Sequence, residues 1–399
     1  MALACGVAVA NLYYHQPLLV EISRSFHATS QQVGLVATLT QVGYAAGMLV
    51  FLPLADLIDR RRLIVMLLLT VSVALIGAAV APWLWWLVIA SFLVGLTTVA
   101  PQVVIPFAAS LADPKERGKI IGSMYTGLLL GILLARTVSG TVGGQLGWRA
   151  MFWLASGMMV VLAIVLAIRL PKDTPSTDHG YLSLMRSLWT LVRTQPELRE
   201  AAIIGGGIFG AFSAFWTTLV FFLSTPPYHY GSQMAGLFGL VGAAGALIAP
   251  MAGRLADRFG HRAVRGVALL VVVGAYGLCW RLGFHLVGLA ASVILLDAGV
   301  QSAHVCNQTR IFGLLPKAHG RVNTIYMMGF FLGGSVGSYL GIWCWTRWQW
   351  NGVCAAGAAM GLLALLAHVR GVLVHRAAQA AAPVEQDETK TDRELESAS

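Results

Sequence analysis

Long apolar runs, each about the length of a bilayer crossing and each closed by a short polar or glycine-bearing turn, fill most of this chain. A helix needs ~20 apolar residues to cross the hydrocarbon core. Twelve stretches of that kind can be marked, at about 2–22, 33–54, 63–81, 84–108, 119–146, 148–168, 200–224, 234–254, 264–280, 286–309, 322–343 and 350–369. The pattern predicts an all-α integral membrane chain. The longest interior break, about 169–199, opens with Pro171, Lys172, Asp173, Thr174, Pro175 and Ser176. Within it Leu182, Met185, Leu188 or Trp189 and Val192 recur at helical spacing beside Arg186 and Arg193, which predicts an amphipathic helix on the membrane surface. After about residue 377, Ala, Glu, Asp, Gln, Thr and Ser leave almost nothing to bury, so a disordered tail is expected there.

The pattern also repeats. Leu54-Ala55-Asp56, followed by Arg60, Arg61 and Arg62, returns 201 residues later as Leu255-Ala256-Asp257, followed by Arg258 and Arg262. At an offset of 202, Pro114-Lys115-x-x-Gly118-Lys119-Ile120 returns as Pro316-Lys317-x-x-Gly320-Arg321-Val322, and Gly127 and Leu130-Gly131 return as Gly329 and Leu332-Gly333. An internal duplication in a membrane chain predicts two similar helix bundles that rock about a site between them. The expected organisation is a first six-helix bundle at 1–168, a linker with its amphipathic helix at 169–199, a second six-helix bundle at 200–370 and a tail at 371–399.

Composition supports the membrane reading: 11% of the 399 residues are charged and 57% are hydrophobic, well outside the range of a soluble domain. The net charge of +10 would suit a nucleic-acid partner, but its placement argues otherwise. Most basic residues fall in the segments of one alternating side, among them Arg60 to Arg62, Lys115, Arg117, Lys119, Arg254, Arg258, Arg262, Arg265, Arg310, Lys317 and Arg321. The positive-inside rule puts that side, both termini and the central loop in the cytoplasm. The five cysteines lie in or at the edges of apolar helices without metal or disulfide spacing, and read as packing residues. The first segment lacks a basic flank and a cleavage site and is expected to stay as a helix. No metal and no cofactor is implied.

At the duplicated turn the sequence resembles the major facilitator superfamily of secondary transporters. The second copy, Gly253-Arg254-Leu255-Ala256-Asp257-Arg258-Phe259-Gly260-His261-Arg262, matches the loop motif of that family at nearly every position. The first copy departs from it, with Leu52 and Asp59 where glycines are expected and Leu57 where Arg is. The resemblance covers the whole chain and implies twelve transmembrane helices in two pseudo-symmetric bundles. A carboxylate at a helix end is stabilised by a neighbouring helix N-terminus, so Asp56 and Asp257 could each latch one bundle to the start of a helix in the other. Asp56, Arg60, Arg61, Asp257, Arg258 and Arg262 are therefore the expected gating residues. The run Asn11-Leu12-Tyr13-Tyr14-x-Gln16-Pro17-Leu18-Leu19 further resembles helix 1 of the twelve-helix drug:proton antiporter group. Two features of that group differ here: Ser91 stands where helix 4 usually has an Arg, and Arg136 stands where helix 5 has the Pro of its antiporter motif, otherwise kept as Gly122, Gly131, Ala135, Ser139 and Gly140.

Polar residues inside the apolar runs are the candidates for chemistry. Pro17 weakens the helix beside Asn11, Tyr14, His15 and Gln16, and broken helices of this kind line transporter cavities. A charge at mid-membrane is costly, so Arg136 needs a carboxylate, a carbonyl cluster or an anionic group on a solute. Asp297, Gln301, His304 and Gln308, spaced i, i+4, i+7 and i+11, share one narrow helix face, and the Asp and His are groups able to carry protons. Gln102, with Thr97 and Thr98, is what helix 4 offers; Gln102 aligns with His304 across the repeat. The expected solute and proton pathway is thus Asn11, Tyr14, His15, Gln102, Arg136, Asp297, Gln301, His304 and Gln308. No nucleophile elbow, zinc-spaced His pair or phosphate loop points to an enzyme. The expectation is a proton-coupled transporter in a bacterial inner membrane that works as a monomer and exports a small organic solute. Proton-linked or facilitated uptake of a sugar or organic acid is the alternative, and a non-transporting sensor or scaffold is the reading from another class.

Overall fold

A computed structural model describes residues 1–113, 116–173, 180–314 and 319–381. Pro114, Lys115, Pro316 and Lys317 of the second repeat element, and the tail beyond Ala381, lie outside the described residues. Among those described, nine helices are long and apolar enough to cross a membrane. They include α3 (Ser30–Leu57), α4 (Arg60–Ala79), α7 (Arg117–Leu146), α8 (Trp148–Arg169), α10 (Pro196–Leu223), α13 (His261–Leu282) and α14 (Leu286–Leu314). The span Leu84–Ser110 consists of α5 (Leu84–Thr97) and α6 (Ala100–Ser110). The last, α15 (His319–Ala381), holds two helices, 319–348 and 350–381, divided at Gln349, whose φ is 52°. It continues past residue 370, so the start of the expected tail is helical.

Two more of the expected spans are broken. The first runs as α1 (Ala2–Val9), two 3₁₀ turns at Ala10–Leu12 and Gln16–Leu18, and α2 (Leu19–Ser25); the second turn carries Pro17 near its start. The other runs as α11 (Ser232–Ala246) and α12 (Ala249–Phe259). Capping explains several boundaries. Thr29 and Gln32 form a reciprocal capping box at the start of α3, satisfying donors that the first helical turn leaves free. Gly260, at φ +86°, separates α12 from α13, a conformation open to Gly at little cost. In the first repeat Asp59 takes that place at φ −53° and caps α4 by accepting from the Arg61 amide at 2.9 Å. The eroded turn has therefore exchanged a glycine hinge for a side-chain cap.

Both repeats build the same helix crossing. A Cβ on Gly131 would stand 2.2 Å from the Gly6 carbonyl oxygen, and one on Gly333 would stand 2.2 Å from that of Gly206. Likewise Gly127 lies against Ala2, and Gly329 against Ala202. Small residues let these backbones touch, which is how helices associate where lipid removes the hydrophobic drive. Gly333→Ala should therefore lower the thermal unfolding temperature of the purified protein through an overpacking cost of ~1–3 kcal/mol. Gly274→Ala, where the added carbon meets nothing within 4 Å, should leave it unchanged.

The linker helix differs from its expectation. It forms as α9 (Tyr181–Thr194), but Leu188 is buried and, with Leu184, lines an internal cavity, while Leu182 and Trp189 are exposed. Leu188 thus faces the cavity between the repeats.

Candidate functional site

Two polar regions lie between the repeats. The first surrounds a cavity of about 490 Å³ on the arginine-rich side, walled by α3, the start of α4, α6, α7, α9, α14 and α15. Its lining is mainly apolar, with Asp56, Arg60, Gln102, Tyr125, Arg321 and Asn323 as polar points. Gln102 donates to the Tyr44 hydroxyl at 3.2 Å. Gln308 donates to the Tyr125 hydroxyl at 3.3 Å and to Asn323 Oδ1 at 3.2 Å, joining α14 to α7. His304 Nδ1 lies 2.9 Å from the Tyr326 hydroxyl, and Gln301 sits partly buried between His304 and Asp297.

The second region is sealed. Arg136, on α7, is 1% exposed. Its Nε donates to Gln16 Oε1 at 2.8 Å, and its guanidinium carbon lies 4.1 Å from the Trp216 ring centre, 4.9 Å from Tyr13 and 5.3 Å from Phe212. The indole N–H of Trp216 donates to Asp297 Oδ1 at 3.1 Å. Trp216 thus touches the cation with its face and the carboxylate with its edge. Arg136 and Asp297 attract one another but form no ion pair; the ion pairs among the described residues lie elsewhere. Four buried atoms of Arg136 and the first segment have no hydrogen-bond partner: Arg136 Nη2, Gln16 Nε2, His15 Nε2 and Asn11 Oδ1. Each such group costs ~1–3 kcal/mol if it stays unmet. Asn11 spends its amide on Met159 Sδ at 3.2 Å, and the Tyr14 carbonyl accepts from the Ser139 hydroxyl.

Aromatic rings separate the two regions. Tyr44 lies 4.3 Å from Phe331, Phe331 5.0 Å from Phe209, Phe209 4.1 Å from Phe330 and 5.5 Å from Phe212. This layer runs from the Gln102 wall of the cavity to the Arg136 cluster. On the far side the repeats are closed. The small residues of α7 pack on those of α11, where a Cβ on Gly236 would stand 2.6 Å from the Arg136 carbonyl oxygen. Thr137 donates to the Gly236 carbonyl at 3.0 Å, Ser232 donates to Glu21, and Gln41 donates to Ser213 and to Ser338, each at 3.3 Å.

Sequence reasoning placed Arg136, His15 and Asp297 on separate helices, and the fold gathers them. Trp216, Phe212 and Gln41 were missed, although Ser213, Trp216, Thr217 and Thr218 interrupt an apolar span with a polar face that was available as a signal. Ser91 turns its hydroxyl to the Leu87 carbonyl at 2.7 Å and takes no part in the site. Of the gating residues, Asp56 pairs with Arg60 on its own turn at 3.5 Å, and Arg60 Nε lies 3.6 Å from Asp173. Arg61 donates to the Ala167 carbonyl. In the second copy Asp257 is exposed and makes no ion pair among the described residues, while Arg258 lies 5.2 Å over the Phe259 ring and Arg262 is partly exposed. Arg265, counted among the basic residues of the arginine-rich side, is buried in a network with Glu200, Asn307, Arg310 and His368.

Comparison with known proteins agrees with this architecture. The sequence matches the Major Facilitator Superfamily over residues 1–311 and 237–396. It is 39% identical to the uncharacterized transporter YgaY of Escherichia coli over 371 residues, 93% of this chain and 94% of the relative. A protein of Helicobacter pylori named "Probable sugar efflux transporter" is 24% identical over 352 residues, 87% of this chain and 88% of the relative. Among solved structures, a bacterial homolog of the human lysosomal transporter Spinster, inward-facing and occupied, superposes with a TM-score of 0.73 at 14% identity, covering 94% of this chain and 95% of that one.

Proposed function

This chain belongs to the major facilitator superfamily and is a multi-pass membrane transporter, and from that premise we propose that it moves a small organic solute coupled to protons, by alternating access. One observation carries the reading. Arg136 from the first repeat and Asp297 from the second are both buried, unpaired with each other, and joined through Trp216. A structural ion pair would bring the two charges into contact, because a separated buried pair loses the attraction that offsets its desolvation. Held apart, each charge is free to exchange a partner: a solute at Arg136 and a proton at Asp297. Any ligand that binds one arrangement of the repeats better than the other shifts the equilibrium between them.

In this reading the arginine-rich side is cytoplasmic, the broken segments at 2–25 and 232–259 complete a set of twelve crossings, and the cavity is the cytoplasmic vestibule. Solute passes the aromatic layer to reach the Arg136 cluster. Opening to the far side separates α7 from α11 and α3 from the first helix of α15. Asp56, Arg60, Arg61, Asp257, Arg258 and Arg262 bias the cytoplasmic closure, and Gln102, Gln301, His304 and Gln308 line the way to the cavity. Export in exchange for protons is the second reading; its direction, though not its coupling, agrees with the name of the Helicobacter pylori relative, a probable sugar efflux transporter.

Alternating access is tested by locking the far side. Gly34 lies directly against Ile342, so Gly34→Cys with Ile342→Cys should cross-link in oxidant and stop flux of labelled benzoate, phenylalanine or glucose into proteoliposomes, with recovery in reductant. Undiminished flux through the cross-linked protein would overturn the mechanism.

A further inference from the structure

We propose that the sealed cluster is a seat for one carboxylate, and that the transported solute is a monoanionic organic acid. The inference rests on reading that cluster as the solute site. The two unmet atoms beside the charge, Arg136 Nη2 and Gln16 Nε2, are donors only. The Gln16 oxygen already receives Arg136 Nε, so the amide is held with its nitrogen unspent. Two neighbouring donors, one of them charged, call for an acceptor with two oxygens. A cationic or donor-only ligand would leave both unmet and set a second positive charge beside the first. Tyr13, Phe212 and Trp216 around the guanidinium give an apolar enclosure that suits an organic body. A single guanidinium without a carboxylate in contact balances one negative charge, which argues against a dicarboxylate or a phosphate ester.

The seat also sets the sign of coupling. The titratable groups around it are Tyr13 and His15 of the first segment, Arg136 of α7 and Asp297 of α14, whose charge in turn acts on Tyr276 of α13. From α10 and α11, the residues shown against it are Trp216, Phe212 and the glycines Gly236, Gly239, Gly242 and Gly245, none of which titrates. An ionised Asp297 balances Arg136 at a distance. A bound carboxylate takes over that balance and leaves Asp297 as an uncompensated buried charge, which is costly. Anion binding and protonation of Asp297 therefore reinforce one another, by the reciprocity of linked equilibria. The acid and its proton travel together, which favours co-movement over exchange.

Calorimetry on the full chain in lipid nanodiscs tests this, with benzoate, octanoate, benzamide and benzylamine as probes in two buffers of different ionisation enthalpy. The carboxylates should bind at least about tenfold more tightly than the amide and the amine, with uptake of a proton from buffer. Arg136→Gln should erase the preference. Gln16→Leu, which leaves Arg136 in place, should weaken benzoate severalfold, so the test survives if the arginine variant does not fold. Equal binding of benzamide, benzoate binding unchanged in Gln16→Leu and Arg136→Gln, or failure of both carboxylates to bind the folded wild type would each overturn the proposal. Benzoate binding through Arg136 without proton uptake would keep the anion seat and remove the proton-coupled reading. Protons moving with glucose, with no carboxylate bound, would do the reverse.

Discussion

Asp297→Asn is expected to reduce proton-driven accumulation of solute to the level of empty vesicles while leaving exchange of solute for solute intact. The asparagine keeps the shape of the side chain and an oxygen for the Trp216 N–H, now 3.1 Å from Oδ1, so the packing around Gly242 and Gly245 should persist. What disappears is the one buried carboxylate that faces Arg136 across Trp216. Without it the protein has no charge there to neutralise with a proton, and the solute must move down its own gradient. Parallel measurement of counterflow and of uptake driven by a pH gradient separates the two. If both fall together, Asp297 holds the fold and does not carry the proton.

The largest effect on stability is expected away from the pathway, at Glu200. Its carboxylate accepts from Arg310 Nη1 at 2.7 Å and Nη2 at 3.1 Å, and from Arg265 Nη2 at 3.0 Å. Arg265 is 1% exposed and also reaches Asn307 Oδ1 at 2.8 Å and His368 Nδ1 at 3.0 Å. The network joins α10, α13, α14 and α15, and Glu200 is the only acid shown in it. Removing one partner of a buried ion pair costs ~3–5 kcal/mol because the other charge is left behind. Glu200→Ala strands two guanidiniums, so the purified variant should unfold at a distinctly lower temperature and aggregate on expression. Restoration by Arg265→Met with Arg310→Met in the same chain would confirm that stranded charge is the cause. A Glu200→Ala protein as stable as wild type would show the network to be dispensable.

The repeat and the apolar runs made the fold legible, because periodicity and small-residue spacing are local signals that survive without knowledge of neighbours. Gly131 and Gly333 were visible as echoes before their contacts with Gly6 and Gly206 gave the reason. Arg136 and Asp297 were visible as anomalies, since a charge within an apolar run stands out at any distance. Their common partner was not. Trp216 is an ordinary residue for an apolar helix, and only the packing of α10 between α7 and α14 makes it a bridge. The network at Arg265 was hidden differently: near a helix start the residue resembles the arginines around it, and burial alone sets it apart. The single-face stripe of Asp297, Gln301, His304 and Gln308 proved to span two environments, with Asp297 in the sealed cluster and Gln308 reaching the Tyr125 and Asn323 of the cavity wall.

The central claim is that solute and proton share one passage, with Asp297 as the proton's seat. A pH-sensitive dye sealed inside proteoliposomes tests it most directly when an inward benzoate gradient is imposed across a membrane with no pH difference, against protein-free vesicles as the measure of passive leak. The account predicts lumen acidification beyond that leak in the wild type, absent in Asp297→Asn. Alkalinisation, or protein-dependent benzoate entry with no change in pH, would contradict it.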